Sequence, residues 1–170
     1  MLKFISDIAH YDIVLNLASQ AKRSLWLGTA DIKDLHVKRG ITTMPFLGIL
    51  AELVSKNVEV RLIYAKHPGQ PFREDLARYP LLKRHLEQVL CPRVHFKFVI
   101  IDATICYIGS ANLTGAGMGM KSHSRRNFEA GVLTNDPAIL NPAIEEFDKI
   151  WRGAECPHCQ RKQFCSSPVI

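Results

Sequence analysis

Apolar positions recur along this chain with two different periods, and the period switches in an orderly way. Ile8, Tyr11, Val14, Leu15 and Ala18 return every three to four residues, which predicts a helix over 6–21 with Ser6 as a possible cap. The apolar run RSLWLGTA (23–30) has the length of a strand, and a charged loop, DIKDLHVKRG, follows it. Phe46, Leu47, Leu50, Leu53 and Val54 restore helical spacing over 43–57. VEVRLIYA (58–65) alternates as a strand does and stops at the breaker cluster HPGQP. A third helix is predicted over 72–90, bent or divided at Pro80, which lacks the N–H a helical ladder needs. Strands are predicted at 93–101, 104–109 and 128–134. A last amphipathic helix, 137–152, turns Leu140, Ile144, Phe147 and Trp151 inward. Helices alternating with strands imply an α/β fold, a mixed β-sheet flanked by helices on both faces.

Composition narrows the class. At 170 residues the chain is expected to form one domain and to bury about two-thirds of its unfolded surface. Its 47% hydrophobic and 22% charged content belongs to a folded protein rather than a disordered one. No run approaches the ~18 consecutive apolar residues of a membrane helix, so no membrane insertion is expected. Asp7, His10 and Asp12 interrupt the stretch where a signal peptide needs an apolar core, which predicts a cytoplasmic, uncleaved chain. The formal net charge of +6 favours polyanionic partners, although a solvated surface with a mild basic bias gives the same number.

One apolar stretch carries too much polar chemistry for a core: VHFKFVIIDATICYIGSAN, residues 94–112. In an alternating strand His95 and Lys97 share a side, about 7 Å apart. Ser110 and Asn112 share one parity after the next strand, and Gly109 is expected to let backbone approach a ligand. An ammonium, a hydroxyl, an amide and strand-end N–H groups are the donors that non-bridging phosphate oxygens require. The imidazole adds a nucleophile or a general acid/base. Taken singly, each residue could line the solvent face of a half-buried strand. Together they make His-x-Lys-x4-Asp-x6-Gly-Ser-x-Asn, a pattern that chance would place in such a chain on the order of once in 10⁵–10⁶.

The segment HFKFVIIDATICYIGSAN resembles the signature of the phospholipase D superfamily, and NFEAG (127–131) is similar to the short acidic motif that follows it there. The resemblance covers residues 95–131 and agrees with the α/β order around them. It implies phosphodiester chemistry at a site built from two facing copies of the signature, without a metal. One histidine attacks phosphorus to form a phosphohistidine and the other protonates the leaving group. Carried onto this chain, His95 fills both roles in turn, Lys97 and Asn112 hold phosphoryl oxygens, and Ser110 supports the pocket. Asp102 joins the catalytic set as a structural or tuning partner, and Glu129 accepts from the imidazole and fixes its tautomer. A Glu129 paired with Arg125 or Arg126 on the surface is the alternative. A second His-x-Lys, His36-Val37-Lys38, lacks the following Asp and any Gly-Ser-x-Asn. One signature therefore implies a homodimer with a shared two-fold site, as in the single-signature endonucleases of the family.

The substrate is read from the loop 115–127, where Lys121, His123, Arg125 and Arg126 are expected to rim the site and Gly115, Gly117 and Gly119 to make the rim mobile. A basic rim suits DNA or RNA. Phospholipid chemistry of the same superfamily, as a phospholipase or phosphatidyl transferase, would call for more exposed apolar surface than Met118 and Met120 supply. A catalytically inactive nucleic-acid-binding module is the third reading. No recognition helix is evident, so a partner protein could supply targeting. The tail, 154–170, is set apart from the domain over 1–153 by Cys156-x2-Cys159-x5-Cys165, half of a zinc site by spacing. Cys91 could complete four ligands for a structural zinc, against the alternative of free thiols. No cofactor is expected for catalysis. Cys106 alternates with core residues and is expected to be buried.

Overall fold

The computed structural model describes residues 1–33, 35–39 and 41–166. Its centre is a seven-stranded mixed sheet in the order β1-β9-β8-β7-β2-β5-β6. The strands are β1 (Leu2–Ser6), β2 (Ser24–Thr29), β5 (Glu59–Tyr64), β6 (Glu87–Leu90), β7 (Lys97–Ile101), β8 (Ile105–Gly109) and β9 (Ala130–Thr134). β2, β5 and β6 run parallel to one another. β1, β9, β8, β7 and β2 form an antiparallel series. β3 (His36–Arg39) and β4 (Thr42–Pro45) make a separate small ribbon.

Alternation along the strands sorts side chains to two cores. Leu25, Leu27, Val60, Leu62, Val99, Ile101, Tyr107 and Leu133 face the larger one, with the segment from His10–Leu15 through α1 (Asn16–Ala18), α2 (Phe46–Ser55), α3 (Gln70–Ala77) and α4 (Pro80–His85). Ile63, Phe98, Ile100 and Cys106 face the smaller one under α5 (Pro137–Trp151), which contributes Leu140, Ala143 and Phe147. Helices thus cover both faces, as the sequence pattern predicts. Cys106 is fully buried in β8.

The structure corrects four expectations. Residues 2–6 are an edge strand, so Ser6 ends β1 and caps no helix. The helix starts only at His10 and opens with a π-helical turn. The charged loop after β2 holds β3, which pairs β4 outside the main sheet and delays α2 to Phe46. The third helix does divide at Pro80, but its last residues leave the helix and add β6 to β5. Finally, β7 begins at Lys97, leaving His95 in the connection that precedes it. No helix among the described residues is long and apolar enough to cross a membrane.

Candidate active site

Four strand ends meet at one edge of the sheet. β2 ends at Thr29, β8 at Gly109 followed by Ser110, β7 begins at Lys97 opposite Gly109, and β9 begins at Ala130 just after Glu129. This juxtaposition gathers His95, Lys97, Ser110, Asn112 and Glu129. Lys97 is buried, and its Nζ donates to the His95 carbonyl at 2.6 Å and lies 3.1 Å from His95 Nδ1. Burial pushes the Lys97 ammonium below its ordinary pKa, and the charge of Glu129 opposes that shift. Lys97 has no ion-pair partner among the described residues. The buried cation contacts a carbonyl and an imidazole, with Glu129 acting on it only from beyond ion-pair distance.

The other donors are oriented by the fold. Asn112 Oδ1 accepts from Thr29 Oγ1 (3.2 Å), Ala30 N (3.2 Å) and Asp31 N (3.1 Å). With its oxygen committed, the Asn112 amide keeps both N–H bonds for another acceptor. Ser110 is exposed, and its hydroxyl donates to Glu129 Oε2 and accepts from Ala130 N at 3.1 Å. Asn127 donates to Glu129 Oε1 at 3.1 Å. Glu129 is thus held by Ser110 and Asn127 within its own chain, not by His95.

Asp102 does not join this group. It sits at the opposite end of β7, about 17 Å from Lys97 along the strand. Its carboxylate accepts from the backbone N–H groups of Lys22 (3.0 Å), Arg23 (2.7 Å) and Ser24 (3.0 Å). The turn it occupies has two consecutive left-handed residues, Asp102 and Ala103, both at φ 53°. Its work is to tie the β7–β8 turn to the start of β2.

The loop 115–127 is also built differently from its expectation. Lys121, His123 and Arg125 are exposed, but Arg126 turns in and donates to Asp7 at 2.6 Å. Gly115, Gly117 and Gly119 are buried, and a side chain on Gly117 would come within 2.6 Å of the Asn112 carbonyl. Gly119, at φ +76°, lies against Asp7 and Ile8, and Met118 is fully buried. Close packing explains these glycines better than mobility. Gly109 likewise makes room for protein, since a side chain there would collide with the Tyr107 ring and the Ala130 carbonyl.

Beneath the site lies a pair that the sequence pattern did not bring forward as functional. His10 is fully buried, its Nδ1 donating to the Asp7 carbonyl (3.0 Å) and its Nε2 accepting from the Tyr107 hydroxyl (2.8 Å). Burial lowers the His10 pKa and raises that of Tyr107 to about 12. Only the contact across 97 residues reveals this pair. The unfolded state then binds a proton at His10 more readily, so this histidine's contribution to stability is present above about pH 6.5 and falls below it. Tyr107→Phe leaves Nε2 without its donor and is expected to cost about 1–3 kcal/mol in urea unfolding at neutral pH. Phe128, beside Glu129, is another residue not anticipated, and with Leu2 and Phe4 it leaves large apolar surface exposed.

A family model described as cardiolipin synthase, PLD-like domain, matches residues 14–151. The chain belongs to the phospholipase D superfamily. Solved structures superimpose on it at low identity, establishing a shared fold. NucT from Helicobacter pylori aligns with a TM-score of 0.65 and 17% identity, covering 88% of this chain and 94% of NucT. Nuc from Salmonella typhimurium, a phospholipase D family member, gives 0.60 and 18%, covering 89% and 95%. TrmBL2, an archaeal chromatin protein that binds DNA, gives 0.59 and 15%, covering 88% of this chain but 51% of its own. No curated protein sequence matches the chain. In phospholipase D terms, the residues of the signature fall at one sheet edge, except Asp102.

Proposed function

We propose that this phospholipase D-like chain is a nuclease that cleaves phosphodiesters of DNA or RNA through a phosphohistidine at a site shared by two copies of the chain. The observation that carries this reading is the buried Lys97 ammonium without a carboxylate partner, in contact with the only imidazole of the signature. An incoming phosphate diester supplies the missing negative charge, and the free amide of Asn112 offers further donors to its oxygens. The near-complete coverage of NucT and Nuc supports a unit of this length. DNA binding by TrmBL2 supports nucleic acid as the polymer.

The chemistry needs two histidines in different protonation states. An ammonium only donates, so with Lys97 at Nδ1 the neutral His95 ring carries its proton on Nε2. The general acid is instead the imidazolium, protonated on both nitrogens, because a neutral ring could release its Nε2 proton only as an imidazolate. In that copy the Nδ1–H needs an acceptor in place of the Lys97 ammonium. The nucleophilic copy needs Nε2 bare, which requires Nδ1 to take the proton and donate it to a carboxylate; Glu129 is the carboxylate proposed for it. Attack by this Nε2 forms the P–N bond as the bond to the leaving oxygen breaks, and the other His95 gives its Nε2 proton to that oxygen. It then takes a proton from water, whose oxygen displaces the histidine and restores both rings. A second copy would bury the exposed Leu2, Phe4 and Phe128 side chains as it approaches.

Incubating the protein with single-stranded DNA, duplex DNA, RNA and anionic phospholipid vesicles in brief EDTA tests the substrate. Release of nucleotides or fragments with intact lipid is expected, and hydrolysis of lipid alone would replace this reading. The rim can be tested apart from the chemistry. Lys121→Ala and Arg125→Ala are expected to weaken DNA binding alike across sequences. Each should also flatten the slope of log K against log salt by about 0.7–0.9 for every phosphate it leaves unneutralised. Fluorescence anisotropy between low and moderate salt measures that slope.

A further inference from the structure

The segment after α5 holds a defined path without a hydrophobic anchor. From Cys156 to Ser166 every residue is exposed except Cys156, Cys159 and Cys165, which are half-buried. Ordering each residue costs backbone entropy, and this stretch buries no Leu, Ile, Val or Phe to offset it. Phe164, its one aromatic, is exposed. The three inward side chains point to one corner of the molecule. Cys156 and Cys159 line a cavity with Cys91, Arg93 and Lys149, and the Cys165 thiol donates to the carbonyl of Leu90, next to Cys91, at 3.3 Å. Cys91, itself half-buried at the end of β6, has Cys165, Cys156 and Cys159 as its electrostatic neighbours. None of the four is in a disulfide. His158, in the Cys156–Cys159 turn, faces solvent.

We infer that Cys91, Cys156, Cys159 and Cys165 form a structural zinc site that clamps the tail onto the segment leading to His95. Four thiolates and no imidazole or open position match a closed, tetrahedral, non-catalytic centre. Such a centre carries net negative charge, which Arg93 on the cavity wall opposes, while Lys149 on the same wall is already paired with Glu155 and Glu146. Among the described residues no three ligating side chains yet stand in a coordinating array, so the thiolates must turn inward about their Cα–Cβ bonds to close on an ion. The consequence reaches the site, because only Pro92, Arg93 and Val94 separate Cys91 from His95. His95 precedes β7 and is not held by the sheet, so fixing Cys91 fixes the start of its connection.

Metal analysis of the full chain, purified without chelator, tests the inference independently of nuclease activity. About one zinc per chain is expected, falling at least tenfold in Cys159→Ser and Cys165→Ser and unchanged in Cys106→Ser and His158→Ala. Since a cysteine variant could fail to fold, the wild type is also titrated natively. A mercurial reagent is expected to release zinc in step with the four thiols, as read with a colorimetric zinc indicator. A folded wild type without stoichiometric zinc, with iron in its place, or with disulfides by mass would overturn the proposal. So would full zinc retention by folded Cys159→Ser.

Discussion

Replacing His95 with alanine is expected to lower cleavage of nucleic acid by about 10⁴-fold or more while leaving the unfolding curve unchanged. The size follows from removing both the nucleophile and the proton donor when every site draws its two histidines from the same residue in two copies. The stability expectation follows from exposure: His95 lies outside β7, and its contact with Lys97 packs no core. Mixed dimers sharpen the test. If each phosphorus is flanked by one histidine from each subunit, a dimer of one wild-type and one His95→Ala chain has no complete site. Equal mixing after dissociation then leaves about a quarter of the activity, carried by wild-type pairs alone. About half would remain if each chain worked by itself, and that result would sink the shared site. Equal cleavage by wild type and His95→Ala would sink the histidine mechanism itself.

How much of this could be read from the chain depended on whether the cause was local. The two-residue period of β7 and β8 and the 3.6-residue period of α2 and α5 are properties of short windows, and those elements are present where the pattern puts them, although β7 and α2 start three or four residues later. β1 and β6 escaped because they are edge strands. Leu2 and Phe4 are exposed and only Ile5 of LKFIS is buried, so the segment shows no alternation, and EQVL continued a helical pattern until β5 recruited it. At the site, the signature supplied the residue types and the strand ends bring five of them together. What it concealed was each side chain's partner. Glu129 pairs with Ser110 and Asn127, Arg126 with Asp7, and Tyr107 with His10, contacts that depend on how distant segments dock. The glycines of the 115–127 loop mislead in the same way, since a residue without a side chain serves mobility and tight packing equally well on paper.

Asp102 separates a signature residue from a reacting one, and its substitution is expected to move stability and not chemistry. Asp102→Ala strips the acceptor from the N–H groups of Lys22, Arg23 and Ser24 at once. Hydrogen bonds to a charged group are worth about 1.5–3 kcal/mol each, but water reaches this turn and replaces part of the loss. A net cost of about 2–3 kcal/mol is expected in chemical denaturation, with an additional penalty because alanine takes the left-handed φ less readily than aspartate. Asp102→Asn keeps one acceptor oxygen and should cost about half as much. The pH dependence has a definite sign. Burial would raise the carboxyl's pKa, yet the N–H groups of Ser24, Arg23 and Lys22 and the Arg23 guanidinium outweigh it and hold the pKa below the usual carboxylate range. The stabilisation is therefore full above the unfolded value near about 4 and is lost as pH falls through the lower folded value. In Asp102→Asn that acid-side slope should diminish. Because the carboxylate is a strand's length from Lys97, kcat measured well below the variant's melting temperature should stay within about threefold of wild type. A stable Asp102→Asn protein with cleavage lost by orders of magnitude would return this residue to the chemistry.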